Sequence, residues 1–453
     1  MKKLLAIVAV AGLLAPAFAD DAGLSLGGRS AKQAPDASAP ARVGLADKGG
    51  DAAAKPKEWT VMVFINGKND LEMAGLYNVN EMEKVGSGKD INIVVEQGRM
   101  NGQGGDTHLD GDLTGSRRML IKKDNNPNKI TSTVLQEDKK VDMGDYKRAV
   151  DFVQWSKKRF PAKRYMLIIW NHGSGWLDPR KDNKGISFDD ETGNYIRTAQ
   201  IGKVLQEAGK VDILAFDACL MQMAEVAYEV KDQAQVIVGS EETVPGQGYP
   251  YALFLGAMTK KPGMSTEETG ALMVEAYKMF YEKSGKNVQL SALRTSKLAG
   301  FGAKMGEFAA AAAASGDLDA LKAARNGVIR YDALGAASDP GMTISFYGDV
   351  WQFAGLAAAN VKDGPKAADL KAKAASLQEY IDKDLVIYNK GLGKNRAGHE
   401  MSESHGISVY LPPAETRIAQ ARLEGIFEAP YTDFAFDKTA KWHDFVNVLY
   451  GAK

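Results

Sequence analysis

Three runs in the chain are apolar without alternation: "MLIIW" (166–170), "DILAF" (212–216) and "QVIVG" (235–239). Strands buried on both faces of a sheet have this composition, because neither set of side chains meets water. Trp59–Ile65 is also β-rich and stops at Asn66-Gly67. "DINIVVEQ" (90–97) reads as a second strand. "SRRMLIKK" (116–123) reads as a third, placed in a hairpin by the Gly/Asn/Asp-rich stretch before it. Between strands, apolar residues recur three and four apart. Leu71, Ala74, Leu76, Val79, Met82 and Val85 form one such set, and Tyr146, Ala149, Val150, Phe152, Val153 and Trp155 another. That spacing lines one face of a helix. Further helices are predicted over 201–208 and 221–230.

Strands alternating with helices predict βαβ units and a mostly parallel α/β sheet flanked by helices. This core runs over 58–258. The portion over 259–453 is alanine-rich and helical, packed on the core sheet or extending it. Its strand-like runs, Val288–Leu293, Met342–Phe346 and Gly406–Leu411, are candidates to extend the sheet. There is no internal repeat.

The N-terminus follows a different pattern. Lys2 and Lys3 precede an apolar stretch, Leu4–Leu14, and Ala17-Phe18-Ala19 has the form of a cleavage site. The apolar stretch is shorter than the ~20 residues a membrane span needs. Residues 1–19 are therefore expected to be a signal peptide, and 20–57, poor in aromatics, a flexible linker or pro-segment. The protein is expected to be exported, periplasmic or secreted, with no membrane attachment after cleavage. Charge excludes two partner classes. Lys+Arg and Asp+Glu are 57 each among 453 residues, so neither nucleic acid nor an anionic membrane is an expected partner.

Two of the apolar runs end alike, one in Asn171-His172-Gly173 and the other in Asp217-Ala218-Cys219, which holds the chain's one cysteine. Sites in open α/β sheets form at the carboxyl ends of strands. Adjacent parallel strands would bring the imidazole and the thiol into one crevice, and a thiol beside an imidazole is an activated nucleophile. Gly173 lets its backbone N–H approach a ligand closely. Cys219 is expected at the start of the helix through Val230, whose N–H groups would favour a thiolate and a developing oxyanion. Taken singly, each residue has a plainer reading: a structural histidine, a small buried cysteine. Metal binding is disfavoured, since the five histidines include no His-x-x-x-His and there is no Cys-x-x-Cys.

The segments "WTVMVFINGKNDLE", "MLIIWNHGSGW", "DILAFDACLMQMAEVAYEV", "SEETVPGQGYPY" and "SHGISVYLP" resemble the clostripain family of cysteine peptidases, within the caspase-like clan. The resemblance covers Trp59 to the C-terminus. It implies a caspase-like fold and cleavage of protein or peptide substrates after Arg or Lys, the residue before the scissile bond (P1). By resemblance His172 and Cys219 are the catalytic dyad, and the backbone N–H groups of Gly173 and Cys219 are the oxyanion donors. The same resemblance assigns Asp217 to the base of the P1 pocket; its competing reading is a cap on the following helix. One departure stands out. Gln247 occupies a position where many relatives are expected to carry an acid; Glu241 and Glu242 either compensate or are solvated loop charges.

The loop "LDPRKDNKG" after the histidine is polar, with Pro179 and Gly185, a composition that invites nicking. Self-cleavage after Arg180, Lys181 or Lys184 is expected, with the two chains staying associated. The resemblance leaves calcium dependence open, and "SFDDETGN" (187–194) is acidic. A polar turn is the preferred reading there, so no cofactor or metal ligand is assigned. The competing reading of the whole chain is a caspase-like binding scaffold with weak or no hydrolysis.

Overall fold

The structure is a computed structural model and describes residues 55–176, 185–331, 345–395, 397–412 and 431–450. The proposed signal peptide, nearly all of the 20–57 segment, and Arg180, Lys181 and Lys184 lie outside these residues.

The strands are β1 (Lys57–Gly67), β2 (Ile91–Arg99), β3 (Gly115–Leu120), β4 (Thr133–Asp138), β5 (Ala162–Trp170), β6 (Ile186–Asp189), β7 (Asn194–Ile196), β8 (Ile213–Asp217), β9 (Val236–Gly239), β10 (Val288–Arg294), β11 (Arg330–Tyr331), β12 (Tyr347–Asp349), β13 (Val386–Leu392) and β14 (Ser408–Tyr410). Nine of them form one sheet in the order β13-β10-β9-β8-β5-β1-β2-β3-β4. The five central strands, from β9 to β2, are parallel. Each edge is closed by antiparallel pairing: β3 and β4 beyond β2, β10 and β13 beyond β9.

The unbroken apolar runs have a direct cause. Along β5, Leu167 and Ile169 face one core and Met166 and Ile168 the other; along β8, Leu214 and Phe216 oppose Ile213 and Ala215. The first core is covered by helices α2 (Tyr146–Arg159), α3 (Thr198–Ala208) and α4 (Ala224–Glu229). The second is covered by α1 (Glu72–Glu83), α5 (Tyr251–Lys260) and α6 (Thr266–Ser284). The helix spacing read from the sequence matches: Ala149, Val150, Phe152 and Val153 are the buried apolar face of α2.

The second half departs from expectation in part. Val288–Leu293 does join the main sheet, as β10. Its outer side is then taken by β13, with Val288 opposite Leu392, so β13 and not the later runs ends the sheet on that side. The 406–411 run instead supplies β14, which pairs with β12 in a separate three-stranded antiparallel sheet with β11. Most of the Met342–Phe346 run lies outside the described residues. Among the described residues, no helix is long and apolar enough to cross a membrane.

Candidate active site

Strands β5 and β8 are direct neighbours, with Trp170 opposite Asp217. The two chain segments that follow therefore leave the sheet side by side, and Asn171 N–H donates to the Asp217 carbonyl at 3.3 Å. Their contact is tight. A Cβ on Gly173 would stand 2.5 Å from the Cys219 carbonyl oxygen and 3.2 Å from its nitrogen, so only glycine fits there. The structure thus brings together the His172-Gly173 and Cys219 positions that the sequence singled out.

The His172 ring reaches a third strand. Its Nε2 lies 2.7 Å from Oδ1 of Asp70, on the turn after β1. Strand β1 flanks β5 on the side away from β8, with Ile65 opposite Trp170. The turn is held by buried side chains. Asn66 and Asn69 each donate to the Phe188 carbonyl, at 2.9 and 2.8 Å. Asn171 donates to the Asn66 carbonyl and accepts from Phe188 N–H at 2.9 Å. Lys68, fully buried, pairs with Asp189 at 3.1 Å. Asp190 is close to both Asp70 and His172. Desolvation and the Asp70 charge push its carboxyl above the usual range, and His172 draws it back.

Cys219 is partly buried, and its Sγ accepts a hydrogen bond from Val244 N–H at 3.2 Å. The Val244 carbonyl lies 3.8 Å from the same sulfur. The expectation that a helix start serves the thiol is corrected. Leu220 takes a left-handed φ of +59°, and Leu220 and Gln222 N–H groups donate to the carbonyls of Glu242 and Ser240. This short extended pairing delays α4 until Ala224, so an amide of the 240–248 loop faces the sulfur instead of helix amides.

Asp217 is buried beneath that loop. Its Oδ2 accepts from Tyr249 N–H at 3.0 Å and from the Tyr251 hydroxyl at 2.9 Å, so it does not cap the following helix. Among the described residues its Oδ1 has no hydrogen-bond partner, nor do the buried Gln247 Oε1 and Tyr277 hydroxyl. Burial pushes the Asp217 carboxyl up to about 7, against those two donors. Gly248 closes over the carboxylate, where a Cβ would come within 2.7 Å of Oδ2. Tyr281 donates to the Gly248 carbonyl at 2.8 Å and Asn78 to the Gln247 carbonyl at 2.9 Å. The surroundings are aromatic: Tyr249 packs against Tyr251 and Tyr277, and Tyr277 against Tyr281.

A family model of the clostripain family matches residues 63–448. The chain belongs to that family. Clostripain of Hathewaya histolytica is 28% identical over 239 residues, 47% of this chain and 44% of that protein, so the match spans less than half of the curated relative. Two solved structures share the fold. A secreted C11 cysteine protease from Bacteroides thetaiotaomicron, in complex with an irreversible peptide inhibitor, aligns with a TM-score of 0.60 at 21% identity over 85% of this chain and 99% of its own. An inactive zymogen C11 protease from Parabacteroides distasonis aligns at 0.59 and 18% identity over 86% and 99%.

In this clostripain-family chain the other proposed site residues fall as follows. Glu241 is fully buried, and its carboxylate accepts from Gly406 N–H at 2.9 Å, toward the small sheet and away from Asp217's partners. Glu242 accepts from Asn395 at 3.1 Å. In "SFDDETGN", Asp189 accepts from the N–H groups of Met143, Glu191 and Thr192, which makes the segment a turn between β6 and β7. Sequence reasoning missed Asp70, Val244 and the tyrosines. Asp70 was within reach, because "FINGKND" also ends an apolar strand. Tyr277 and Tyr281 carry only ordinary helical spacing and had no distinguishing signal.

Proposed function

We propose that this protein is an exported cysteine endopeptidase that cleaves after Arg or Lys. The observation that carries the proposal is the Trp170–Asp217 register, which brings the segments holding His172, Cys219 and Asp217 together at the carboxyl ends of β5 and β8. In this reading the Cys219 thiolate attacks the substrate carbonyl carbon. The oxyanion is received by the N–H groups of Gly173 and Cys219. The peptide C–N bond then breaks, and the leaving amine takes a proton from His172. A water, giving its proton to His172, hydrolyses the thioester and releases Sγ. The basic P1 side chain supplies the positive partner that Asp217 Oδ1 lacks, with Gln247 and Tyr277 as neutral companions. Self-cleavage after Arg180, Lys181 or Lys184 follows from the same specificity, and the two resulting chains stay associated.

The test is an irreversible thiol reagent bearing a basic P1 group. Mass spectrometry should find the adduct on Cys219 in the wild type and none in His172→Ala. Cys219→Ala should lose all turnover, and His172→Ala about 10²–10⁴-fold. Substantial hydrolysis by either variant, or a library profile with acidic or hydrophobic P1, would refute the assignment. Fragments of Arg180–Lys184 cleavage should appear in wild type and be absent from Cys219→Ala.

A further inference from the structure

We infer that Asp70 is a positioning residue for the His172 imidazole: it holds Nε2–H and leaves Nδ1 as the nitrogen that serves the Cys219 sulfur. The inference rests on the His-Cys reading above. Three observations carry it. The Nε2–Oδ1 distance of 2.7 Å is that of a charge-assisted hydrogen bond. Both side chains are about half exposed (41% for His172 and 54% for Asp70), so an unanchored pair would be averaged away by solvent. The turn is anchored, however. Its residues Asn66, Lys68 and Asn69 are 0–1% exposed. Asp190 N–H donates to the Lys68 carbonyl at 2.9 Å, and a Cβ on Gly105 would lie 2.7 Å from the Asp70 carbonyl oxygen. The backbone that carries the carboxylate is therefore clamped from two sides.

The arrangement also explains why three strand ends meet here. Strand β8 brings the sulfur, β5 the imidazole, and β1 the group that fixes the imidazole. A carboxylate on Nε2–H selects one tautomer of the neutral ring and stabilises the imidazolium that forms beside the thiolate. Asp190 adds a second negative charge near the same ring, so the field at His172 is not Asp70's alone. Asp70 touches neither substrate nor sulfur in this account, and it acts only through His172.

The experiment compares wild type, Asp70→Asn and Asp70→Ala on a fluorogenic peptide with Arg at P1. Asp70→Ala should lose about 10- to 100-fold in kcat while KM stays within about threefold. Asp70→Asn should recover most of kcat, because its amide oxygen still accepts from Nε2–H. In both variants the alkaline limb of the kcat/KM profile should move to lower pH, because the imidazolium has lost a carboxylate neighbour. A purely structural role would reduce Tm and active fraction and leave that limb in place. Should Asp70→Ala not fold, the limb of Asp70→Asn decides. Wild-type kcat with a wild-type profile overturns the inference, as does lost kcat with an unmoved limb. Turnover by His172→Ala is a different result and overturns the parent reading together with this one.

Discussion

Asp189 and Asp217 are both aspartates at strand ends, both buried, at 1% and 3% exposure. Their surroundings differ in one respect. Asp189 is given a cation, Lys68 at 3.1 Å, and N–H donors to both oxygens. Among the described residues, Asp217 is given two donors on a single oxygen and no cation. Burial raises both carboxyls, but at Asp189 the lysine and the donors oppose the rise. A carboxylate such as Asp189 arrives with its counter-charge. One kept short of a counter-charge costs the free protein stability and suits a positive ligand from outside.

The contrast can be broken at either end. The largest effect is expected from Lys68→Met, which strands Asp189 as an unpaired buried charge. Urea unfolding should show a loss of about 3–5 kcal/mol, with the P1 profile unchanged. Asp217→Asn comes next. It should lower kcat/KM for Arg and Lys substrates by about 10²–10³-fold, read on a P1 library.

The same variant tests stability against pH. The unfolded chain releases the Asp217 proton near its ordinary value, whereas the folded protein holds it until about 7. Wild-type stability from this group is therefore full at low pH, falls between about pH 4 and 7, and is flat above. Asp217→Asn should remove that fall, so the difference in stability between variant and wild type should grow by a few kcal/mol over the window. Chemical denaturation at pH 5 and 8 measures it, and equal differences at both would mean Asp217 is already paired in solution. The smallest effect is Gln247→Glu, which adds a second charge to the site. It should raise the preference for basic P1 about tenfold.

Legibility in the sequence followed the physics of each feature. Doubly buried strands announce themselves, because the composition of "MLIIW" and "DILAF" has few other uses. Their shared ending made His172 and Cys219 readable before any geometry. The helix after Cys219 was misplaced, since one left-handed residue, Leu220, diverts the chain into pairing with 240–242, and composition does not encode that long-range choice. Glu241 looked like a pocket acid but is spent on Gly406, 165 residues further along the chain and beyond any local pattern. Strand β13 has no clean alternation and only its pairing with β10 identifies it. Asp70 needed the knowledge that β1 is β5's other neighbour.

The loop over 240–248 performs several jobs within nine residues. Ser240 and Glu241 root it in the interior through Gln289 and Gly406. Val244 touches the sulfur, and Gly248 roofs the Asp217 carboxylate. In the proposed peptidase, selectivity and reactivity would thus be written on one short ribbon. A combinatorial library aimed at new P1 preferences would also vary the electrophile's approach to sulfur, and most members would trade speed for selectivity unwittingly. Retargeting is better sought on α6, where Tyr277 and Tyr281 wall the site from a separate scaffold and leave the ribbon intact.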